Sequence, residues 1–202
     1  MMNGKKLRLW ELAALLALSI TLCVGTWAQA AGERISSSLI RLHVVAASDD
    51  EYEQALKLRV RDAVLDYLDA AMPETDSVDA ARAFLEDSLD GIRRAAADAA
   101  EGRTVRVTLE PEYFPTKDYG GFSLPAGRYE ALRIVLGEGR GHNWWCVVFP
   151  PVCLSSAQDE LLSETMGSRE LGTVKRAEGY ELRFRAVELW GNLAEKLSFC
   201  TK

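Results

Sequence analysis

The chain has 202 residues, of which 48% are apolar, so it can form one hydrophobic core with appendages. The formal net charge is −6, and because residues 1–30 contribute +2, the remaining chain carries −8. An acidic domain of this kind is repelled by phosphate backbones and anionic membrane surfaces, which argues against nucleic acid as a partner.

Residues 1–30 have the composition of an export signal. Basic residues precede a mostly apolar stretch from Leu12 to Trp27, and Ala28-Gln29-Ala30 is an A-x-A cleavage signal. A retained membrane anchor is the alternative, because the apolar stretch is nearly long enough to span a bilayer. In both cases the chain from residue 31 onward is expected outside the cytoplasm, with membrane contact only through the N-terminal segment.

The first strand and the start of the first helix follow this leader. Residues 37–47 alternate between an apolar face and a face that carries Arg41 and His43, which predicts a strand. Ser48 and Glu51 have the spacing of a capping box, so Ser48 is the predicted N-cap of a helix.

Two helices are predicted in succession. The first is expected to run to about Ala71, where a Met-Pro pair stops it, with Glu53 and Lys57 forming an i, i+4 pair on its solvated face. The second starts near residues 75–77 and ends at Gly102. Because the connection between them is short, the two helices should lie antiparallel and share a core.

A strand over residues 104–112 and a long loop over 113–127 come next. The loop contains four aromatic residues, which is more than a solvated loop needs: Tyr113, Phe114, Tyr119 and Phe122. These side chains either fold back onto the sheet as a plug or present a surface to a partner.

The last two predicted strands, 129–136 and 144–149, are joined by a glycine-rich turn at 137–141. The turn does not fit a nucleotide-binding loop, since G-x-G-x-x-G would require a glycine at His142 and a helix after the turn. The glycines instead predict a flexible hairpin turn with positive φ angles.

These elements predict an α+β fold, a two-layer arrangement in which a mixed sheet has its helices packed on one face. The order is β-α-α-β-β-β followed by a C-terminal helix. We therefore divide the chain into a signal peptide or anchor at 1–30, an α+β domain at 31–154 and a C-terminal helical extension at 155–202.

Cys146 and Cys153 are the natural disulfide pair of an exported domain. A straight chain would separate them by roughly 23 Å, whereas a disulfide needs Cα atoms within about 7 Å. Pro150-Pro151 is where a strand would stop and reverse. Two buried thiols are the alternative to a bridge.

The residue types that carry catalysis or bind metals are too sparse for a site. His43 and His142 are the two histidines of the chain. Three residues separate His142 from Cys146, but a zinc site needs three or four ligands and no further His or Cys lies at such spacing. No motif supplies a nucleophile with a base and an orienting group. We therefore expect no catalytic residue, no metal site and no cofactor.

The Trp144-Trp145 pair must send its two indoles to opposite faces of a strand. One can enter the core on the helix side, and the other lies on the face that receives Arg41 and His43. A surface of Trp, His and Arg has the composition of an interaction hot spot. The alternative is that the second indole is covered by the aromatic loop or by the C-terminal helix.

Three runs of sequence together resemble the stage II sporulation protein R family of endospore-forming bacteria. They are LIRLHVVAASD at 39–49 with KLRVRD at 57–62, YFPTKDYG at 113–120, and LPAGRY at 124–129 continuing to GHNWWCVVFPPVC at 141–153. The resemblance covers roughly residues 40–154 and gives no match beyond Leu154.

The resemblance implies a signalling protein and not an enzyme. Such a protein is exported from the forespore into the space between the two sporulation membranes, where it triggers a membrane-embedded aspartic protease of the mother cell to process pro-sigma-E. An extracytoplasmic peptidoglycan-binding module or cell-wall hydrolase is the alternative. The candidate partner-binding residues are Arg41, His43, Tyr113, Phe114, Lys117, Tyr119, His142, Asn143, Trp144 and Trp145.

Overall fold

The computed structural model of the chain describes residues 9–119 and 122–151. The elements are helix α1 (Leu9–Ser37), strand β1 (Ile40–Val45), helices α2 (Glu51–Ala71) and α3 (Val78–Ala99), and strands β2 (Val105–Phe114), β3 (Lys117–Asp118), β4 (Ser123–Leu124), β5 (Gly127–Leu136) and β6 (Asn143–Phe149). The predicted C-terminal helical extension and Cys153 lie outside the described residues, so the disulfide between Cys146 and Cys153 stays a prediction.

Four of the strands form a mixed sheet in the order β2-β5-β1-β6. Strand β1 runs parallel to β5 and antiparallel to β6, and β2 runs antiparallel to β5. With helices packed against it, this sheet confirms the predicted α+β class.

The helix-side core lies between the sheet and helices α2 and α3. Strand β1 contributes Ile40, Leu42 and Val44, all fully buried against apolar side chains of the two helices. Helix α2 ends as predicted, because Met72 caps it with an N–H bond to the Leu68 carbonyl. Helix α3 ends at Ala99 with Ala100 as its cap, and two left-handed residues follow, Glu101 and the predicted Gly102. Buried apolar side chains on one stripe of each helix thus fix the helices to one face of the sheet.

The predicted N-cap of α2, Ser48, is wrong. Asp50 and not Ser48 is the N-cap, and its side chain makes no capping hydrogen bond. The Ser48 hydroxyl instead bonds the Asp50 carboxylate at 2.5 Å. The capping-box interpretation fails because the helix begins at Glu51, so the Ser48 oxygen accepts from the Asp50 N–H, at 3.3 Å, and not from the first turn of the helix.

Glu53 and Lys57 are not on a solvated face, as the i, i+4 spacing suggested, but are 8% and 5% exposed. Each is bound by a distant part of the chain. Arg103 donates two hydrogen bonds to one Glu53 carboxylate oxygen, at 2.9 and 2.6 Å. The Lys57 ammonium donates to the Gln54 side chain at 2.6 Å and to the His142 carbonyl at 3.0 Å.

The opposite face of the sheet, which we call the far face, is covered at one end by α1 and by the β3–β4 hairpin. Helix α1 runs to Ser37, so β1 begins at Ile40 and not at residue 37 as predicted. Ile35 and Leu39 are each 1% exposed and pack in a second apolar cluster on this face. By length and composition α1 qualifies as a signal sequence or a membrane anchor, which is compatible with export.

The glycine-rich turn between β5 and β6 is a crossover and not a hairpin, because β1 lies between these two strands. The positive φ angles predicted for the turn occur at Gly137 and Gly139. The turn passes over the end of β1, where the Gly141 N–H donates to the Ala46 carbonyl at 2.9 Å. We call residues 137–142 the crossover turn.

Candidate functional site

Arg41 occupies the centre of the far face and is fully buried. The central carbon of its guanidinium lies 4.1 Å from the centroid of the Phe114 ring and 5.0 Å from that of Tyr129. One terminal nitrogen, Nη2, donates a hydrogen bond to the Tyr119 hydroxyl. Alternation along β1 points Arg41 away from the helix-side core, and the aromatic rings of β2, β5 and the hairpin close around it.

The described side chains that contact the Arg41 guanidinium are uncharged aromatic groups. Burial raises the pKa of Tyr119 and of Tyr129, so both phenols stay protonated. Desolvation lowers the pKa of Arg41 itself, although a guanidinium keeps its charge in proteins. In the described part of the chain, its Nε and Nη1 atoms have no hydrogen-bond partner.

His43 is the next residue of β1 on the same face and is 6% exposed. Its Nδ1 atom lies 2.8 Å from a Glu112 carboxylate oxygen, and Arg133 approaches the other oxygen of Glu112 at 3.3 Å. The imidazole ring also lies 5.9 Å, centroid to centroid, from both Phe114 and Trp145. Glu112 therefore orients His43, while the His43 Nε2 atom is buried without a hydrogen-bond partner among the described residues.

The two tryptophans lie on opposite faces of β6, as the sequence predicts. Trp144 packs against the helix-side core, with the Arg61 guanidinium 4.7 Å from its ring centroid. Trp145 packs against the far-face apolar cluster, with the Lys117 ammonium 5.8 Å from its ring. Both indoles are half-buried, so each shows part of its surface to solvent and has a cation beside it.

The predicted aromatic loop contains the ends of β2 and β5 and the β3–β4 hairpin, so it is more ordered than a loop. Phe114 and Phe122 are each 1% exposed, and Tyr119 stacks on Phe122 with centroids 5.0 Å apart. Phe114 and Phe122 therefore fold back onto the sheet as a plug, which is the first of the two predicted alternatives, and do not form a partner surface. We call Arg41, His43, Phe114, Tyr119, Tyr129 and Trp145 the far-face cluster.

His142 and Asn143 are not part of this cluster. They are exposed at the opposite end of the sheet, where the crossover turn meets the start of α2. The His142 backbone N–H donates to the Asp49 carboxylate at 2.6 Å, and the His142 ring contacts the same carboxylate. The ten candidate residues therefore do not form one continuous patch, and Arg41 and His43 lie beneath the surface and not on it.

Sequence reasoning missed Glu112, Arg133 and Tyr129 as members of this site. Strand alternation could have placed Glu112 and Arg133 on one face of their strands. The register that brings Arg133 beside His43 is seen only in the structure. No local pattern indicates that a glutamate on β2 reaches a histidine on β1 across an intervening strand.

The geometry separates the groups that a cysteine–histidine pair would need. Cys146 faces the helix-side core, whereas His43 faces the far face. Between residues 9 and 119 and between 122 and 151, no group of three or more His, Cys, Asp or Glu side chains could hold a metal ion.

Comparison with known proteins identifies the family. The family model described as Stage II sporulation protein R matches residues 36–159, which contain the whole sheet and the far-face cluster. The chain belongs to the stage II sporulation protein R family. Membership assigns it a role in sporulation.

A curated relative in this family is the stage II sporulation protein R of Bacillus subtilis (strain 168). It is 39% identical over 123 residues, which cover 59% of this chain and 55% of the relative. Its name refers to sporulation and to no enzymatic reaction. No solved structure matches the chain.

Proposed function

We propose that the chain is an exported signalling protein that activates a membrane-embedded aspartic protease of the mother cell and thereby leads to the processing of pro-sigma-E. It acts from the space between the two sporulation membranes, after export from the forespore. Membership of the stage II sporulation protein R family and the apolar helix α1 support this function.

The observation that carries the proposal is the position of Trp145. Its indole is half-buried on β6, supported from below by Phe114 at 6.4 Å and by His43 at 5.9 Å, and flanked by Lys117. A large ring held in one orientation loses little conformational entropy on binding, and tryptophans of this kind dominate the binding energy of interfaces. We therefore assign the contact with the extracytoplasmic part of the protease to the exposed edge of Trp145 and to Lys117.

The peptidoglycan-binding alternative is less well supported by the same rings. A sugar-stacking site needs flat aromatic faces open to solvent, but Phe114 and Phe122 are almost completely buried. The neighbouring Tyr119 is stacked on Phe122. Trp145 and Tyr119 are the half-buried rings of the far-face cluster, and Phe122 already covers one face of Tyr119.

Substitution of Trp145 tests the proposal. Trp145→Ala should leave an exported, folded protein that no longer supports pro-sigma-E processing, with a loss of about tenfold or more, as expected when a central interface aromatic is removed. Tyr52→Ala is the matched control, because Tyr52 is an aromatic residue 51% exposed on the helix side. Circular dichroism must show that both variants are folded.

Unchanged processing with Trp145→Ala would place the binding surface elsewhere. Sedimentation with purified sacculi addresses the alternative function. Binding to sacculi that is lost with Trp145→Ala, together with unchanged protease activation, would favour the peptidoglycan-binding module.

A further inference from the structure

Among the described residues, the far-face cluster contains buried polar side-chain atoms that have no hydrogen-bond partner. Arg41 is 0% exposed, and its Nε and Nη1 atoms have no partner in the described part of the chain. The buried Nε2 atom of His43 is unpartnered in the same way. The two residues are two positions apart on one face of β1, which separates them by roughly 7 Å. Unpartnered buried polar atoms are rare in folded proteins, and each calls for an explanation.

The aromatic surroundings do not neutralise the guanidinium of Arg41. Phe114, Tyr119 and Tyr129 contribute ring faces at 4.1, 5.8 and 5.0 Å. Such contacts compensate only part of the cost of removing a cation from water. Within the described residues, the one polar partner of the guanidinium is the Tyr119 hydroxyl, which is neutral and accepts from one of the terminal nitrogens.

A carboxylate would supply what this environment lacks. Its two oxygens match the planar fork of a guanidinium, and its charge balances the buried cation. The nearest carboxylate to His43 is that of Glu112, which is already engaged by His43 and Arg133. In the part of the chain that the structure describes, no acidic side chain forms an ion pair with Arg41.

We propose that Arg41 is a binding site for an acidic side chain of the partner protein, whose carboxylate replaces the Tyr119 hydroxyl and binds the guanidinium. This site rests on the proposed function, because the partner is the protease that the chain activates. Trp145 and Lys117 contact the partner at the surface. The guanidinium of Arg41, which is buried below them, binds the partner's carboxylate in place of the Tyr119 hydroxyl.

Arg41→Met tests the site through two independent readouts. Methionine fills a similar volume without charge, so the thermal midpoint of the full chain should stay the same or rise, because an uncompensated buried cation is removed. Pro-sigma-E processing should fall by about tenfold or more. Arg93→Met is the matched control, since Arg93 is an exposed α3 arginine paired with Asp90, and it should change neither readout.

A lower thermal midpoint or failure to fold in Arg41→Met would overturn the proposal. Either result would show that Arg41 is a structural cation, held by its aromatic neighbours or by a carboxylate of residues 152–202. Processing at the wild-type level would also overturn it.

Sodium propionate provides a probe that does not depend on the protease. Its carboxylate represents an acidic side chain, so it should raise the thermal midpoint of the wild-type chain above that in sodium chloride of equal ionic strength. Arg41→Met should show no such difference. If the wild-type chain fails to activate the protease, the proposed function is wrong, and the propionate experiment alone then tests whether Arg41 binds a carboxylate. A wild-type midpoint that is the same in both salts would overturn the carboxylate site.

Discussion

Gly141 allows the crossover turn to pass over the end of β1. A Cβ atom at this position would lie 2.6 Å from the Ser48 carbonyl carbon and 2.8 Å from the Ala46 side chain. Backbone atoms cannot move aside as the end of a flexible side chain can. Hydrogen bonds from the Arg140 and Gly141 N–H groups to the carbonyls of Ala47 and Ala46 hold the turn at this distance.

Gly141→Ala should therefore lower the free energy of unfolding by about 3 kcal/mol, the upper end of the usual cost of overpacking. Gly102→Ala is the control, because Gly102 has a φ of +80° and no atom near its missing Cβ. It should cost about 1 kcal/mol, for the left-handed conformation alone. Urea denaturation measures both values, and equal losses would contradict the close approach at Gly141.

The elements of the fold differ in how far the sequence predicts them. The apolar periodicity of α2 and α3 and the alternation of β1 predict these elements, because the side chains that each element buries in the helix-side core follow its own helical or strand period. The crossover between β5 and β6 is not predictable in this way, since a hairpin and a crossover require the same glycines. Which one forms is decided by β1, which inserts between two strands far from it in sequence.

The candidate site was predicted to a similar extent. Strand alternation predicts that the two tryptophans lie on opposite faces, and this is confirmed. The sequence leaves open which of them shares the face of His43, and the structure shows that it is Trp145. The burial of Arg41 could not be predicted, because it depends on the rings of Phe114, Tyr119 and Tyr129 from other elements. The burial of Glu53 and Lys57 could not be predicted either, because their partners, Arg103 and the His142 carbonyl, come from distant parts of the chain.

The last turn of α1 is part of the folded domain. Ile35→Ala should lower the free energy of unfolding of the full chain by about 2–4 kcal/mol, because it empties a fully packed site beneath the sheet. Ser37→Ala, at an exposed position two residues further, should change it by less than about 0.5 kcal/mol. Equal and small effects of the two substitutions would show that the last turn of α1 does not pack against the sheet.

The whole molecule has two distinct ends. At one end lie the C-terminal end of α1 and the β3–β4 hairpin, and at the other lie the crossover turn and the start of α2. The far-face cluster extends from the hairpin to the middle of the sheet, where His43 pairs with Trp145. Whether α1 is retained or cleaved, Ile35 and Leu39 fix the end of this helix to the face that contains Trp145. The proposed contact with the protease and the export segment therefore belong to one face of the domain.

The most direct test of the proposed function is co-expression of the full chain, the membrane-embedded protease and pro-sigma-E in a bacterium that does not sporulate. Processed sigma-E is expected only when the chain is present with residues 1–30, and none is expected when the leader is deleted so that the chain stays in the cytoplasm. Processing that is equal with and without the chain, or absent when all three proteins are present and the chain is exported, would contradict it.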